Sequence, residues 1–349
     1  LNAFRGADLA NNIYLYTAIC QRKTNFELQI YKHFTEPFMN TYLKYKPVWL
    51  QFIILGALFF VTSAVLGSAA AYSIAGAYHV SIEDLMSPSS PAAIAASKIN
   101  LAVSSAFVFG LSGFLFSYMS DHHPFRFLGF KKPVPEIFMS IGVIVLLASL
   151  PALSWFAMMN KHILLPSGLQ ETFKKFDDLN REMMKKMLVM PSGKDVFINI
   201  IIFGIIPAMM EEIFFRGALQ RIFIRLFKSP VIGILVTAFI FSAAHMEFSG
   251  FLVRFVLGAL LGALYWYSGS LWPGILMHFL NNAMQIVVLY FYPSTIVEDT
   301  HFNVWLVLAS CVSIVLILIW MKRISHTHYS EIYDTDDFTI EPINRENDL

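Results

Sequence analysis

Residues 201–219 read IIFGIIPAMMEEIFFRGAL, an apolar run interrupted in its middle by Glu211, Glu212 and Arg216. The surrounding stretch, Val196 to about Phe227, is long enough as a helix to cross the roughly 30 Å hydrocarbon core of a bilayer, which takes about 20 residues. Only structures that satisfy their own backbone hydrogen bonds survive in hydrocarbon, and a continuous apolar run lacks the in-out alternation of a barrel strand. The stretch is therefore predicted to be a membrane-spanning helix. Charged side chains inside it cost about 2.5–3.5 kcal/mol each on insertion scales and usually face the bundle interior. Two adjacent carboxylates need a compensating arrangement and a reason to be there.

The same reading extends to both sides. Apolar runs are predicted to span at Trp49–Tyr78, Ile99–Met119, Glu136–Asn160, Val196–Phe227, Val231–Met246, Phe251–Tyr267, Leu271–Tyr290 and Phe302–Met321. The expected fold is all-α, a polytopic membrane helix bundle with about eight transmembrane helices and one interfacial amphipathic helix. Of the 349 residues, 56% are hydrophobic and 14% charged, too apolar a balance for a domain whose main solvent is water. The net charge of +1 gives no support to a nucleic-acid partner. Cys20 and Cys311 form no CxxC pair, so no disulfide framework is expected, and Cys311 reads as a small packing or lipid-facing residue. No glycine-rich phosphate loop follows a strand signal, which removes nucleotide chemistry.

Between the third and fourth runs, Gln170 to Met190 repeats Phe173, Phe176, Leu179, Met183 and Met187 at spacings of three and four, with lysines between. This is the pattern of a helix lying on a membrane surface, a connector or a gate over an entrance. Lys44 and Lys46, then Arg126, Lys131 and Lys132, then Arg221, Arg225 and Lys228, then Lys322 and Arg323 all fall on one side if the spans number eight. The positive-inside rule places that side, with both termini, in the cytoplasm, and the chain in the inner (cytoplasmic) membrane of a cell. The organisation expected is an N-terminal extension at 1–38, preceding Met39 as a start. Membrane helices and the amphipathic connector follow at 39–195, a core at 196–291, a last helix at 292–324 and a polar, disordered tail at 325–349 that includes Asp334, Asp336 and Asp337.

Chemistry concentrates in the core. Glu212 and Arg216 are four residues apart on one helical face, where carboxylate and guanidinium can pair; Glu211 points about 100° away. One carboxylate is thereby neutralised and the other left free to accept a proton. His245 ends the fifth run, and the seventh carries His278 and Asn282 on one face. A general base, two imidazoles to hold a water, a metal or an oxyanion, an amide donor and an arginine make the part list for hydrolysing an amide within the membrane. Arg254, at the start of the sixth run, is expected to snorkel to the interface, with the site entrance as the alternative. Gly258 and Gly262 are expected to let a neighbouring helix approach closely within one monomer. His122 and His123, beside Pro124, are expected in solvent.

In order along the chain, Glu211-Glu212 with Arg216, Phe241 with His245, and His278 with Asn282 reproduce EExxxR, FxxxH and HxxxN. In this the chain resembles the CAAX-protease and bacteriocin-processing (CPBP) family, which includes type II CAAX prenyl endopeptidases; the resemblance covers about Val196 to Tyr290. It implies an intramembrane endopeptidase in which Glu211 activates water, His245 positions it, His278 and Asn282 stabilise the oxyanion, and Glu212 and Arg216 organise the site. The implied substrate is a membrane-anchored or lipidated peptide. Metal-free activation by glutamate is favoured, because no HExxH pair is present. A zinc site built from Glu211, His245 and His278 is the other mechanism. A catalytically idle scaffold or immunity protein and a proton-coupled transporter are the alternatives from other classes.

Overall fold

The structure, a computed structural model, describes residues 42–130, 136–163, 165–293 and 302–325. The expected extension at 1–38, Lys131 and Lys132, and the polar tail beyond Ser325 lie outside the described residues. Among those described, no strand occurs. Seven helices are long and apolar enough to cross a membrane: α1 (Val48–Tyr78), α2 (Pro91–Ser120), α3 (Glu136–Lys161), α5 (Gly193–Phe227), α7 (Phe251–Ser268), α8 (Leu271–Phe291) and α9 (Val304–Ile324). Between them lie α4 (Ser167–Met187) and α6 (Pro230–Ala243). The chain is a multi-pass helical membrane protein.

The fifth expected span differs from its sequence reading. Instead of running to Met246, α6 stops at Ala243 after 14 residues, about 21 Å of rise against a core of about 30 Å. The helix ends because the chain turns: the amides of His245 and Met246 bond back to the carbonyls of Ser242 and Ala243, and Met246 takes a left-handed conformation at φ 50°. His245 consequently sits on a turn and not on a helical face.

Two cores flank the region between α5 and α8. One joins α1, α2, α5 and α6 through Leu55, Phe116, Phe214, Phe215 and Phe241, with Phe59, Phe109, Phe214 and Phe215 in mutual ring contact at centroid separations of 5.2–5.9 Å. The other joins α3, α7, α8 and α9 through Ile141, Leu146, Leu261, Leu264, Met277 and Met321. Lipid is as apolar as leucine, so these helices are held by close packing and by internal polar bonds. At Pro151, inside α3, such a bond repairs the ladder: Ser310 of α9 donates to the carbonyl of Ala148 at 2.5 Å and accepts from the amide of Ala152 at 3.3 Å.

Gly258 and Gly262 of α7 are packing sites within the chain. Their carbonyls accept from Arg216 Nη2 and Gln220 Nε2 of α5, each at 3.0 Å, while a Cβ on Gly258 would lie 3.1 Å from the Phe241 ring of α6. The basic segments meet at one end of the bundle. There the amide of Leu43 bonds to Met119, Arg225 to Gln51, Arg221 to the carbonyl of Phe127 and Ser325 to that of Tyr267.

α6 returns tightly against the end of α5. A Cβ on Gly233 would lie 2.7 Å from the backbone nitrogen of Ile224 and 2.8 Å from its Cα, and backbone cannot step aside as a side-chain tip can. Gly233→Ala is expected to destabilise by about 1–3 kcal/mol, the usual range for overpacking, whereas Gly56→Ala, with no atom within 4 Å, leaves stability unchanged. Thermal unfolding of the two variants in detergent checks this, and equal midpoints would contradict the packing described.

Candidate active site

The expected polar residues are brought together by α5, α6 and α8, with α7 as backing. Glu212 is wholly buried. Its Oε1 accepts from Arg216 Nη1 at 2.8 Å and lies 3.1 Å from His278 Nδ1. Arg216, equally buried, spends Nη2 on the Gly258 carbonyl and lies over the Phe241 ring at 4.7 Å, a cation–π contact that strengthens when water is excluded. The local helix allows this: the turns from Ile213 to Gln220 are π-helical, a widening often met at functional sites.

Glu211 is treated differently. Its Oε2 is buried without a hydrogen-bond partner among the described residues and stands 3.8 Å from His278 Nε2, beyond hydrogen-bond length. His278 therefore lies between the two carboxylates, Glu212 on one ring nitrogen and Glu211 facing the other. The sequence reading, which separated the glutamates by direction alone, missed that one imidazole meets both. If His278 donates its Nδ1 proton to Glu212, its neutral form presents a lone pair at Nε2 toward Glu211.

Phe241 is the shared wall of the site. Its ring contacts that of His278 at 5.8 Å between centroids and that of His245 at 5.1 Å, and its carbonyl lies 2.8 Å from His245 Nδ1. A carbonyl only accepts, so His245 carries its proton on Nδ1 and leaves Nε2 as an acceptor. His245 is exposed while Glu211 and His278 are buried, which puts the histidine turn at the mouth and the glutamate at the bottom. Asn282 stands apart. One of its Nδ2 hydrogens goes to the Phe203 carbonyl of α5 at 3.3 Å and its Oδ1 accepts from Asn281 at 3.2 Å, so it bonds to none of the other five.

One participant escaped the sequence reading. Gly274 lies one helical turn before His278 on α8, and a Cβ there would come within 3.1 Å of Glu212 Oε2; its spacing of four from His278 was the available signal. Arg254 was expected at the interface or at the site entrance. It forms a part-buried ion pair with Glu247 at 2.8 Å and also bonds to that residue's carbonyl, inside the loop that follows His245. His122 and His123 are exposed, and Cys311 is half-buried and free.

Among the described residues, no three His, Cys, Asp or Glu side chains are arranged to hold a metal ion. One nitrogen of His278 is engaged by Glu212 and one of His245 by the Phe241 carbonyl, which leaves Nε2 of each ring open.

Residues 193–284 match the family model described as Rce1-like, type II CAAX prenyl endopeptidase Rce1-like. The matched stretch covers about a quarter of the chain. It takes in Glu211, Glu212, Arg216, His245, His278 and Asn282, and it begins at the first residue of α5 and ends within α8. The Bacillus subtilis (strain 168) protein named Uncharacterized protein YpbD is 28% identical over 151 residues, 42% of this chain and 63% of that protein. The match spans less than two thirds of the relative's length. No solved structure matches the chain.

The pairing within the Rce1-like region predicts unequal stability effects. Glu212→Gln removes the charge that compensates buried Arg216, a kind of loss that costs about 3–5 kcal/mol. Glu211→Gln removes no hydrogen bond from the described structure and should change stability by less than about 1 kcal/mol. Unfolding midpoints and folded yields of the two variants in detergent measure the difference, and equal losses would count against separate roles.

Proposed function

We propose that this protein is an intramembrane endopeptidase that cleaves a peptide bond in a membrane-anchored or lipidated substrate, with Glu211 as the general base. The observation that carries this reading is the contrast between the carboxylates: Glu212 is held at Oε1 by Arg216 and His278, with its Oε2 unpartnered, while Glu211 is bonded to neither, its Oε2 buried, unpartnered and 3.8 Å from His278 Nε2. A buried carboxylate oxygen without a donor is poised to take a proton. The match to a family of type II CAAX prenyl endopeptidases supports the same reaction class.

In the proposed mechanism, a water held by Glu211 and by Nε2 of His245 attacks the scissile carbonyl carbon as Glu211 takes one of its protons. The C–O bond forms, the carbonyl oxygen becomes an oxyanion, and the second Nδ2 hydrogen of Asn282, together with protonated His278, stabilises it. Glu211 then returns the proton to the leaving nitrogen as the C–N bond breaks. Arg216 and Glu212 cancel each other's charge, and protonated His278 balances that of Glu211. Metal-free activation is the mechanism assigned, with zinc as the alternative that a chelator tests. The protein is further proposed to act as a monomer in the inner membrane, with both termini in the cytoplasm.

Detergent-purified protein offered a library of membrane-tethered and prenylated peptides should cleave at least one. Glu211→Ala should slow that cleavage by about 10²–10⁴-fold, the range for loss of general acid–base catalysis, with the fold intact. A chelator should leave the rate unchanged, and a loss restored by zinc would replace bare glutamate with a metal mechanism. Cleavage that survives Glu211→Ala would overturn the assignment.

A further inference from the structure

The seven residues from Ala244 to Gly250, which carry His245, are not helical, and they follow a helix too short to reach the far surface of the bilayer. Non-helical backbone at such depth persists only where protein satisfies its polar groups or where it lines a cavity. Two side chains from elsewhere in the chain supply that satisfaction. Asn160, buried near the end of α3, donates to the Phe248 carbonyl at 2.6 Å and accepts from the Leu252 amide at 3.0 Å. Asp177, midway along α4, accepts from the amides of Phe248 at 2.8 Å and Ser249 at 3.0 Å, one on each carboxylate oxygen.

The second of these contacts was not visible as a site residue in the sequence. The apolar stripe expected on α4 is divided in the structure: Phe176 and Leu179 are exposed, whereas Phe173 lies against the Phe248 ring at 5.4 Å, and Met187 is the one buried residue of the helix. Asp177 is four residues from Phe173 and half-buried on the same inward side. A carboxylate on the protein-facing side of a helix whose other flank stays exposed is there to bond, and its partners are the backbone of the histidine loop. Met246, between His245 and the clamped amides, is held in a left-handed conformation that side-chain-bearing residues rarely adopt, so its neighbours must fix it.

We propose that Asp177 is a positioning residue for His245: through Phe248 and Ser249 it holds the histidine turn at the mouth of the site and makes the amphipathic helix α4 a required part of the active centre. This rests on the endopeptidase reading, in which His245 holds the water. Loss of the carboxylate would then disturb the chemical step and not the capture of substrate, because misplacing a group by about 1 Å can cost on the order of 100-fold in rate.

The test combines kinetics with a measurement that needs no substrate. In full-length protein in detergent, Asp177→Ala should lower kcat by roughly 10- to 100-fold with KM nearly unchanged, and Asp177→Glu, which keeps both acceptor oxygens, should recover part of the loss. In parallel, hydrogen exchange across residues 246–252 should quicken in Asp177→Ala, and the rate of His245 modification by diethylpyrocarbonate should shift, while the unfolding midpoint holds. Should Asp177→Ala not fold, the near-isosteric Asp177→Asn serves in its place. Unchanged exchange, or quickened exchange with unchanged kcat, would overturn the proposal, as would a loss expressed only in KM. If wild type cleaves nothing, the endopeptidase reading fails by itself, and exchange with His245 modification still decides whether Asp177 sets the loop.

Discussion

The arrangement turns on one buried oxygen, Glu212 Oε1, which Arg216 and His278 share. In hydrocarbon an arginine or a glutamate alone is expensive, and helices gain nothing from expelling water between them. A carboxylate reached from two helices answers both conditions. It neutralises the arginine on its own helix and draws α8 to α5 through the imidazole. The same arginine extends the bonding to α7 through the Gly258 carbonyl, which is accessible because Gly258 has no side chain. Four residues further along each helix, Gln220 and Gly262 repeat that contact, so α5 and α7 are joined by a ladder of side chain to backbone bonds. The charged cluster is thus a fastening as well as a candidate site.

Against this fixed frame, α6 is deliberately incomplete as a membrane helix. Its 14 residues stop short, and the turn at Ala244–Met246 places an exposed imidazole beside the ring of Phe241, which also contacts that of His278. A full-length helix would have carried His245 on a face, with its ring directed by helical geometry alone. A turn frees the ring to meet the Phe241 carbonyl while exposing its other nitrogen, at the expense of backbone groups that hydrocarbon cannot satisfy. Asn160 and Asp177 meet that need from α3 and α4. The loop's conformation is therefore set by side chains 71 to 92 residues earlier in the chain.

This explains what could be read from the sequence and what could not. Apolar runs of bilayer length announce the long helices, and i, i+4 spacing announces the Glu212–Arg216 pair, because both depend on local periodicity. The stop at Ala243 was not legible: Ala244, His245 and Met246 are compatible with helix, and the turn is stabilised by tertiary bonds. Nor was the division of the α4 stripe, since Phe173 and Phe176 look equivalent until Phe248 is opposite one of them. Arg254 was read as an interfacial snorkel because its partner, Glu247, lies outside any helix, where periodicity has no hold. The placement of His278 between the glutamates depends on how α8 packs on α5, which neither helix encodes by itself.

The two glutamates also show why adjacency suits the proposed chemistry. A base that is already hydrogen-bonded must give up those bonds to take a proton, whereas a base with an open position gives up nothing. Glu212, held by Arg216 and His278, turns the imidazole so that its second nitrogen faces Glu211 at 3.8 Å, beyond the length of a direct hydrogen bond. In the proposed reaction the water that Glu211 deprotonates is held on its other side by Nε2 of His245. The carboxylate held at Oε1 by Arg216 and His278 supplies geometry and the one held by neither supplies reactivity, a division that neither could make without the other at the next position in the chain.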